Sequence, residues 1–279
     1  MKKNIFPKFV ILKGSGGLTH MLSSIIYTMK LAKKYNYFLN IDVANHDAFH
    51  VPFSDFFYLE QVEYSEDYNI IPDNYKYYDM TISECQNNQF KFDSKYNYVY
   101  NEKYIINKSN VTTEMENGKD VAIYVGAGDF DFHTMTKHIR INRNILSYVK
   151  CRQIYSKYLG IHYRNTDIKT NFDLIVQQIQ QKLKENKDIN IIYFATDHFD
   201  SIKKIKNYFS NYIFIYYTIP YKNITKNIHY SNPNKKELHT NLLIDMYMLS
   251  YSTVFIGNMQ SAISCWIKYM RNNKDFRLF

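Results

Sequence analysis

Leu159-Gly160-Ile161-His162-Tyr163-Arg164-Asn165-Thr166-Asp167 is the stretch on which the reading of the chain turns. A run of mostly apolar residues, 159–163, passes directly into polar ones. Such a run, bounded by turn-forming residues, reads as a strand covered on both faces. The pattern then repeats towards the C-terminus. Residues 172–184 have helical spacing, 191–195 form a second apolar run, and 201–209 are helical again. Residues 212–216 read as a strand, 236–250 as a helix, 253–256 as a strand and 262–270 as a closing helix. Four successive strand–helix units predict a parallel, doubly wound sheet.

Working back towards the N-terminus, residues 9–12 are a short apolar run ending in Gly14-Ser15-Gly16-Gly17. Leu18, Leu22, Ile25, Ile26, Met29 and Ala32 then recur at helical spacing, and 37–41 read as a strand. Strand, tight loop, helix and strand are the opening of a second parallel layer. Residues 60–120 alternate Tyr, Asn, Lys and acids without a sustained period. Residues 121–125 read as a strand ended by Gly126-Ala127-Gly128-Asp129, and 133–150 as one basic helix. The expected fold class is therefore α/β, with two Rossmann-like domains. The boundary is set near Lys150, giving domains 1–150 and 151–279.

Composition removes several classes. With 46% hydrophobic and 17% aromatic residues in 279 positions, the chain can bury enough apolar surface to offset ordering entropy, so disorder is excluded. Eight Gly and five Pro exclude collagen-like and linker-dominated chains. No stretch approaches the roughly 18 apolar residues of a membrane span. The N-terminal apolar run is broken at Pro7-Lys8, too early for a secretory signal. A soluble chain is expected, without signal peptide or anchor. The three cysteines, Cys85, Cys151 and Cys265, are far apart and form no metal framework, which points to a reducing, cytoplasm-like compartment. A net charge of +9 suits a phosphate-bearing partner, but AT-rich codon usage gives the same excess of Lys. No Lys/Arg-dense tract marks a nucleic-acid surface, and no nucleic-acid partner is expected.

Ligands of open α/β sheets bind at the carboxyl ends of the strands. Three such ends are crowded with polar residues: His162 to Asp167, Thr196-Asp197-His198, and Asn258 to Ser261. Arg164 offers a planar, permanently charged fork able to grip a diphosphate bidentately. His162 lies two residues earlier, on the same face of its strand. Ser261 opens a helix, where backbone N–H groups and the dipole favour phosphate.

His162-x-Arg164-x-Thr166-Asp167 resembles the HxRxTD element of the α1,6-, nodulation-type and protein O-fucosyltransferases. Two further elements follow in the family's order: Tyr193-Phe194-Ala195-Thr196-Asp197, then Asp245 to Ser250 with Val254-Phe255-Ile256-Gly257 and Ser261. Gly16-Gly17-Leu18 resembles the family's N-terminal glycine loop. The resemblance implies a GT-B fold, two domains facing a cleft, and inverting transfer of fucose from GDP-fucose to a glycan or protein hydroxyl. It implies no metal and no cofactor beyond the donor substrate. The 1–150 domain would be the acceptor side, and 151–279 the nucleotide-sugar side. Carried onto this chain, Arg164 holds the β-phosphate, His162 lines the nucleotide site, Asp245 accepts from guanine, and Ser261 contacts phosphate. Gly16, Gly17, Thr196 and Asp197 complete the donor set.

The chain departs from the α1,6 pattern after the motif. Ile168 and Phe172 stand where those enzymes carry Lys and Glu, and Lys169 and Asp173 follow each one residue later. Asp167, Lys169 and Asp173 are the candidates for acid–base work beside Arg164. Thr19-His20 stands where relatives carry Gly-Asn or Gly-Cys, which makes His20 a further catalytic candidate, with a structural His as the alternative.

Two rival readings are distinct. Asp129-Phe130-Asp131 is a DxD, which in the other glycosyltransferase fold holds Mn²⁺ against the donor diphosphate. Its bland counterpart is a strand-end turn with Asp129 as a helix cap. Alternatively, the 28 Tyr and 19 Phe could serve a non-catalytic binder of nucleotide sugars or nucleic acid.

Overall fold

Strand β1 (Phe9–Leu12) and helix α1 (Leu18–Tyr35) open the chain as their apolar spacing requires. The computed structural model describes residues 8–12, 17–44, 49–67, 112–113, 115–118, 121–124, 130–165, 168, 170–220 and 234–273. The chain divides into two compact units, Met1–Asn142 and Arg143–Arg277.

In the first unit β1 pairs in parallel with β2 (Phe38–Ile41) on one side. A parallel strand of the same unit that begins at Val121 flanks it on the other. Counting β3 (Phe57–Leu59), β4 (Tyr64–Ser65) and that strand, β5 (Val121–Tyr124), the sheet order is β4-β2-β1-β5. Helix α1 lays Leu18, Leu22, Ile25, Ile26, Met29 and Ala32 into the core, each under 8% exposed. Asn36, in the left-handed region at φ 59°, ends the helix.

The expected helix over 133–150 is instead broken into three elements. Helix α2 (Phe132–His138) gives way to β6 (Ile139–Ile141), and helix α3 (Arg143–Lys150) follows. The reason is packing. Ile139 and Ile141 alternate with Arg140, and antiparallel pairing with β3 buries both isoleucines completely or nearly so. Arg140 then reaches Glu60 at 2.5 Å. Tertiary pairing has overridden a helical pattern.

The second unit begins with α3 and continues as β7 (Tyr158–Tyr163), α4 (Phe172–Glu185), β8 (Ile191–Thr196), α5 (Phe199–Tyr208) and β9 (Ile213–Ile215). It closes with α6 (Lys235–Tyr251), β10 (Val254–Gly257) and α7 (Ala262–Asn272). All four strands are parallel, in the order β10-β7-β8-β9. On one face Leu159, Ile161, Ile192 and Phe194 pack against Ile175, Ile179, Ile202 and Ile205 of α4 and α5. The other face meets α6 and α7, with the Tyr158 hydroxyl donating to the Met248 carbonyl.

Gly160 permits that second contact. A Cβ there would stand 2.7 Å from Ser252 Oγ and 3.0 Å from Leu249 Cδ2. Gly160→Ala is expected to cost about 1–3 kcal/mol through overpacking, read as a lower denaturation midpoint. An unchanged midpoint would show that the end of α6 can yield.

Among the described residues no helix is long and apolar enough to cross a membrane. The fold class is α/β, as expected, with a parallel sheet in each unit.

Candidate active site

The chain leaves β7 towards β8 on one side and returns from β9 to β10 on the other side of β7. The connections after β7 and β10 therefore diverge, and a crevice at such a reversal is where open α/β sheets take ligands. His162 lies opposite Gly257 in the register of these two strands. Arg164 follows β7, and Ser261 follows β10. Three residues singled out in the sequence thus meet at the reversal point.

Arg164 is only 9% exposed. Its Nε lies 3.0 Å from Asp197 Oδ2. The other oxygen of Asp197 accepts the Asn165 backbone N–H at 2.8 Å. One carboxylate so holds the guanidinium through Nε and the backbone beside it. A bidentate grip on phosphate through the two Nη atoms does not call on Nε. The Thr196 hydroxyl accepts the His198 N–H at 3.1 Å, fixing the turn that carries Asp197. Thr170 donates to the Arg164 carbonyl at 2.6 Å and accepts from Asn258 Nδ2 at 3.1 Å, tying the two loops together.

His162 is buried, with Nδ1 2.7 Å from Ser264 Oγ on α7. Burial, helped by the Arg164 charge and partly opposed by Asp197, lowers its pKa to about 4, so the ring is neutral at neutral pH. Ser261 is the N-cap of α7 and is buried, and its side chain makes no cap bond. Its N–H donates to the Asn258 carbonyl at 2.9 Å, and Asn258 Oδ1 takes the Gln260 N–H at 2.9 Å. The first turn of α7, which carries Ser264, thus lies beside His162, and the N–H groups of a helix start suit an anion.

Asp245, on α6, is buried. Its carboxylate accepts the Tyr193 hydroxyl at 2.5 Å and the Thr218 hydroxyl. Burial raises its pKa to about 7, against the pull of those two donors. Tyr193 stands four residues before Asp197, a separation on the order of 13 Å along a strand. A nucleoside diphosphate can bridge that span. Neither Tyr193 nor Thr218 carried a local signal that would have picked it out as the partner of Asp245.

The remaining described candidates lie on α4 and at the start of α1. Asp173 is exposed in the first turn of α4, which Asn171 caps by accepting the Leu174 N–H at 3.1 Å. A carboxylate there suits the helix dipole. Gly17 is the N-cap of α1, and its carbonyl takes the Met21 N–H at 3.0 Å. His20 sits in the first turn of α1, half-buried, its ring centroid 5.4 Å from that of Phe130. Burial lowers its pKa. Gly16, Asp129, Thr166, Asp167 and Lys169 lie outside the described residues.

The helix cap considered for Asp129 falls on Asp131 instead. Asp131 accepts the Thr134 N–H at 3.0 Å and its hydroxyl at 2.7 Å, and pairs with Lys30. Burial pushes its pKa up, but Lys30 and Thr134 outweigh that and bring it to about 2.

No protein-family model and no curated protein matches the sequence. Solved structures do. The fucosyltransferase NodZ from Bradyrhizobium is 15% identical and aligns with a TM-score of 0.55 over 95% of this chain and 93% of its own. POFUT1 in complex with GDP-fucose is 11% identical, with a TM-score of 0.57 over 96% and 95%. Arabidopsis thaliana FUT1 in complex with GDP is 10% identical, with a TM-score of 0.56 over 95% of this chain and 68% of its own. The chain has the fold of the fucosyltransferases. The resemblance first noted in short motifs thus extends over nearly the whole chain.

Proposed function

We propose that this protein is a glycosyltransferase that moves fucose from GDP-fucose to a hydroxyl of a glycan or protein, with inversion and without a metal ion. The observation that carries the reading is the meeting of Arg164, His162 and the N-terminus of α7 at the reversal between β7 and β10. The fold likeness to proteins solved with GDP or GDP-fucose supports the same donor.

In this reading Arg164 grips the β-phosphate, and Asp197 aims it. Thr196 shapes the turn, His162 and Ser261 line the diphosphate, and Asp245 reads guanine. The acceptor oxygen attacks the sugar carbon, its proton passes to one of the acid–base groups named below, and the bond from that carbon to the phosphate breaks. The electron pair passes to the departing GDP, where a guanidinium and a helix N-terminus meet the growing charge in place of a metal ion. Gly16 and Gly17 complete the donor set, and the first unit is otherwise assigned to the acceptor. Asp167, Lys169, Asp173 and His20 are the candidate acid–base groups.

A hydrolysis screen over nucleotide sugars, with and without EDTA, tests this. GDP-fucose should be turned over, and the rate should survive EDTA. Complete loss restored by Mn²⁺ would move the chemistry to Asp129 and Asp131. GDP binding without any turnover or transfer would leave a binding protein.

A further inference from the structure

We propose that Ser264 is a positioning residue that locks His162 as a hydrogen-bond donor, with its ring proton on Nε2, for an anionic oxygen of the ligand. The ligand half of this inference rests on the diphosphate reading above. The tautomer half does not.

Ser264 is 0% exposed, so its O–H has no access to water. Among the described residues the group within hydrogen-bonding distance of its Oγ is His162 Nδ1, at 2.7 Å. A buried hydroxyl proton without an acceptor is costly, so the Ser264 proton goes to Nδ1. Nδ1 must then offer its lone pair, and the ring N–H is on Nε2. Burial and the adjacent Arg164 charge keep the ring neutral, so a second ring proton is not available to reverse the direction.

The backbone is shaped for this contact. Gly257 lies opposite His162 in the sheet register. A Cβ on Gly257 would stand 2.7 Å from Ser264 Oγ and 2.5 Å from Phe255 Cζ. Any larger residue would drive the Ser264 hydroxyl away from the imidazole. Glycine on β10, serine on α7 and histidine on β7 form one device.

The consequence separates two roles that a histidine at such a site could play. A neutral imidazole with its proton on Nε2 and Nδ1 occupied cannot take a proton from an acceptor. It can only donate, and phosphate oxygen is the partner it suits. His162 is therefore a binding group for the diphosphate and not the base of the reaction.

Nitrogen NMR of the full chain labelled at histidine reads the tautomer directly. In the native protein His162 should show a single form, with an unprotonated Nδ1 and a protonated Nε2. A protonated Nδ1 would overturn the proposal, whatever the protein does with GDP. In Ser264→Ala the ring should lose this single form, and GDP should bind about two- to tenfold more weakly, the range of one hydrogen bond. Guanosine, which lacks the phosphates, should bind as before. Ser264→Thr, which keeps the hydroxyl, should restore both readings. An Ala variant with an unchanged His162 spectrum would remove Ser264 from its role. A native Nε2–H tautomer in a protein that binds no GDP would leave the tautomer standing and refute the ligand. If the Ala variant does not fold, the native spectrum still decides.

Discussion

Arg164→Ala is expected to lower the transfer rate by at least about 10²-fold, the scale of losing one oxyanion donor. Charge builds on the diphosphate as the sugar–phosphate bond breaks, so the guanidinium contributes more in the transition state than in the ground state. Arg164→Lys keeps the charge and loses the fork, and should stay severely impaired. Stability must be read alongside. Sequence alone makes Arg164 a strand-end residue facing a cleft and outside the packed core, whose removal should change folding little. In the fold it is 9% exposed and paired with an Asp197 that is 7% exposed. Deleting one partner of such a pair leaves a buried charge and costs up to about 3–5 kcal/mol. Rates for the Ala variant therefore need to be taken well below its melting temperature. The Lys variant, which retains a cation near Asp197, keeps the test open if the Ala variant does not fold. A folded Ala variant with nearly full activity would exclude Arg164 from the chemistry.

GDP should bind more tightly as pH rises through 7, and UDP should not follow it. Burial raises the pKa of the Asp245 carboxyl to about 7, from an ordinary value of 3.8. Below 7 it is protonated and cannot accept from the N1–H and amino group of guanine. A single required deprotonation weakens binding about tenfold per pH unit on the acid side, so roughly 100-fold by pH 5. UDP carries the same diphosphate and provides the control for phosphate titration. In the empty protein the raised pKa acts the other way. This group's contribution to stability is full below pH 3.8 and is lost as pH rises through about 7. At pH 8, GDP at about 100 times its Kd should add roughly 2.7 kcal/mol, and UDP and ADP less at equal concentration. Asp245→Asn should flatten the pH profile and weaken the preference for guanine. Equal thermal shifts from all three nucleotides would remove Asp245 as the base reader.

The second unit was readable in the sequence because its strands are covered on both faces, so they appear as apolar runs between polar loops. The same feature made the strand ends conspicuous: Arg164, Asp197 and Ser261 stand where the apolar runs stop. What the sequence concealed depends on contacts over long separations. Ile139 and Ile141 look helical until β3, some 80 residues earlier, pairs with them. Tyr193 meets Asp245 across 52 residues, and Ser264 meets His162 across 102. No local pattern encodes such partners; the topology brings them together. The placing of the cap on Asp131 rather than Asp129 is a smaller case, decided by where α2 begins.

That same 102-residue separation has a temporal meaning during synthesis. A ribosome adding about 5–20 residues per second makes His162 wait roughly 5–20 s before Ser264 is even polymerised. The first three strands of this unit can line up as β7-β8-β9, yet the proposed ligand crevice has only one wall until β10 slots in beside β7. Nascent chains halted before Val254 should therefore be unable to retain GDP, even with Arg164 and Asp197 in place. Of the four strands of this sheet, the one that completes the site is made last.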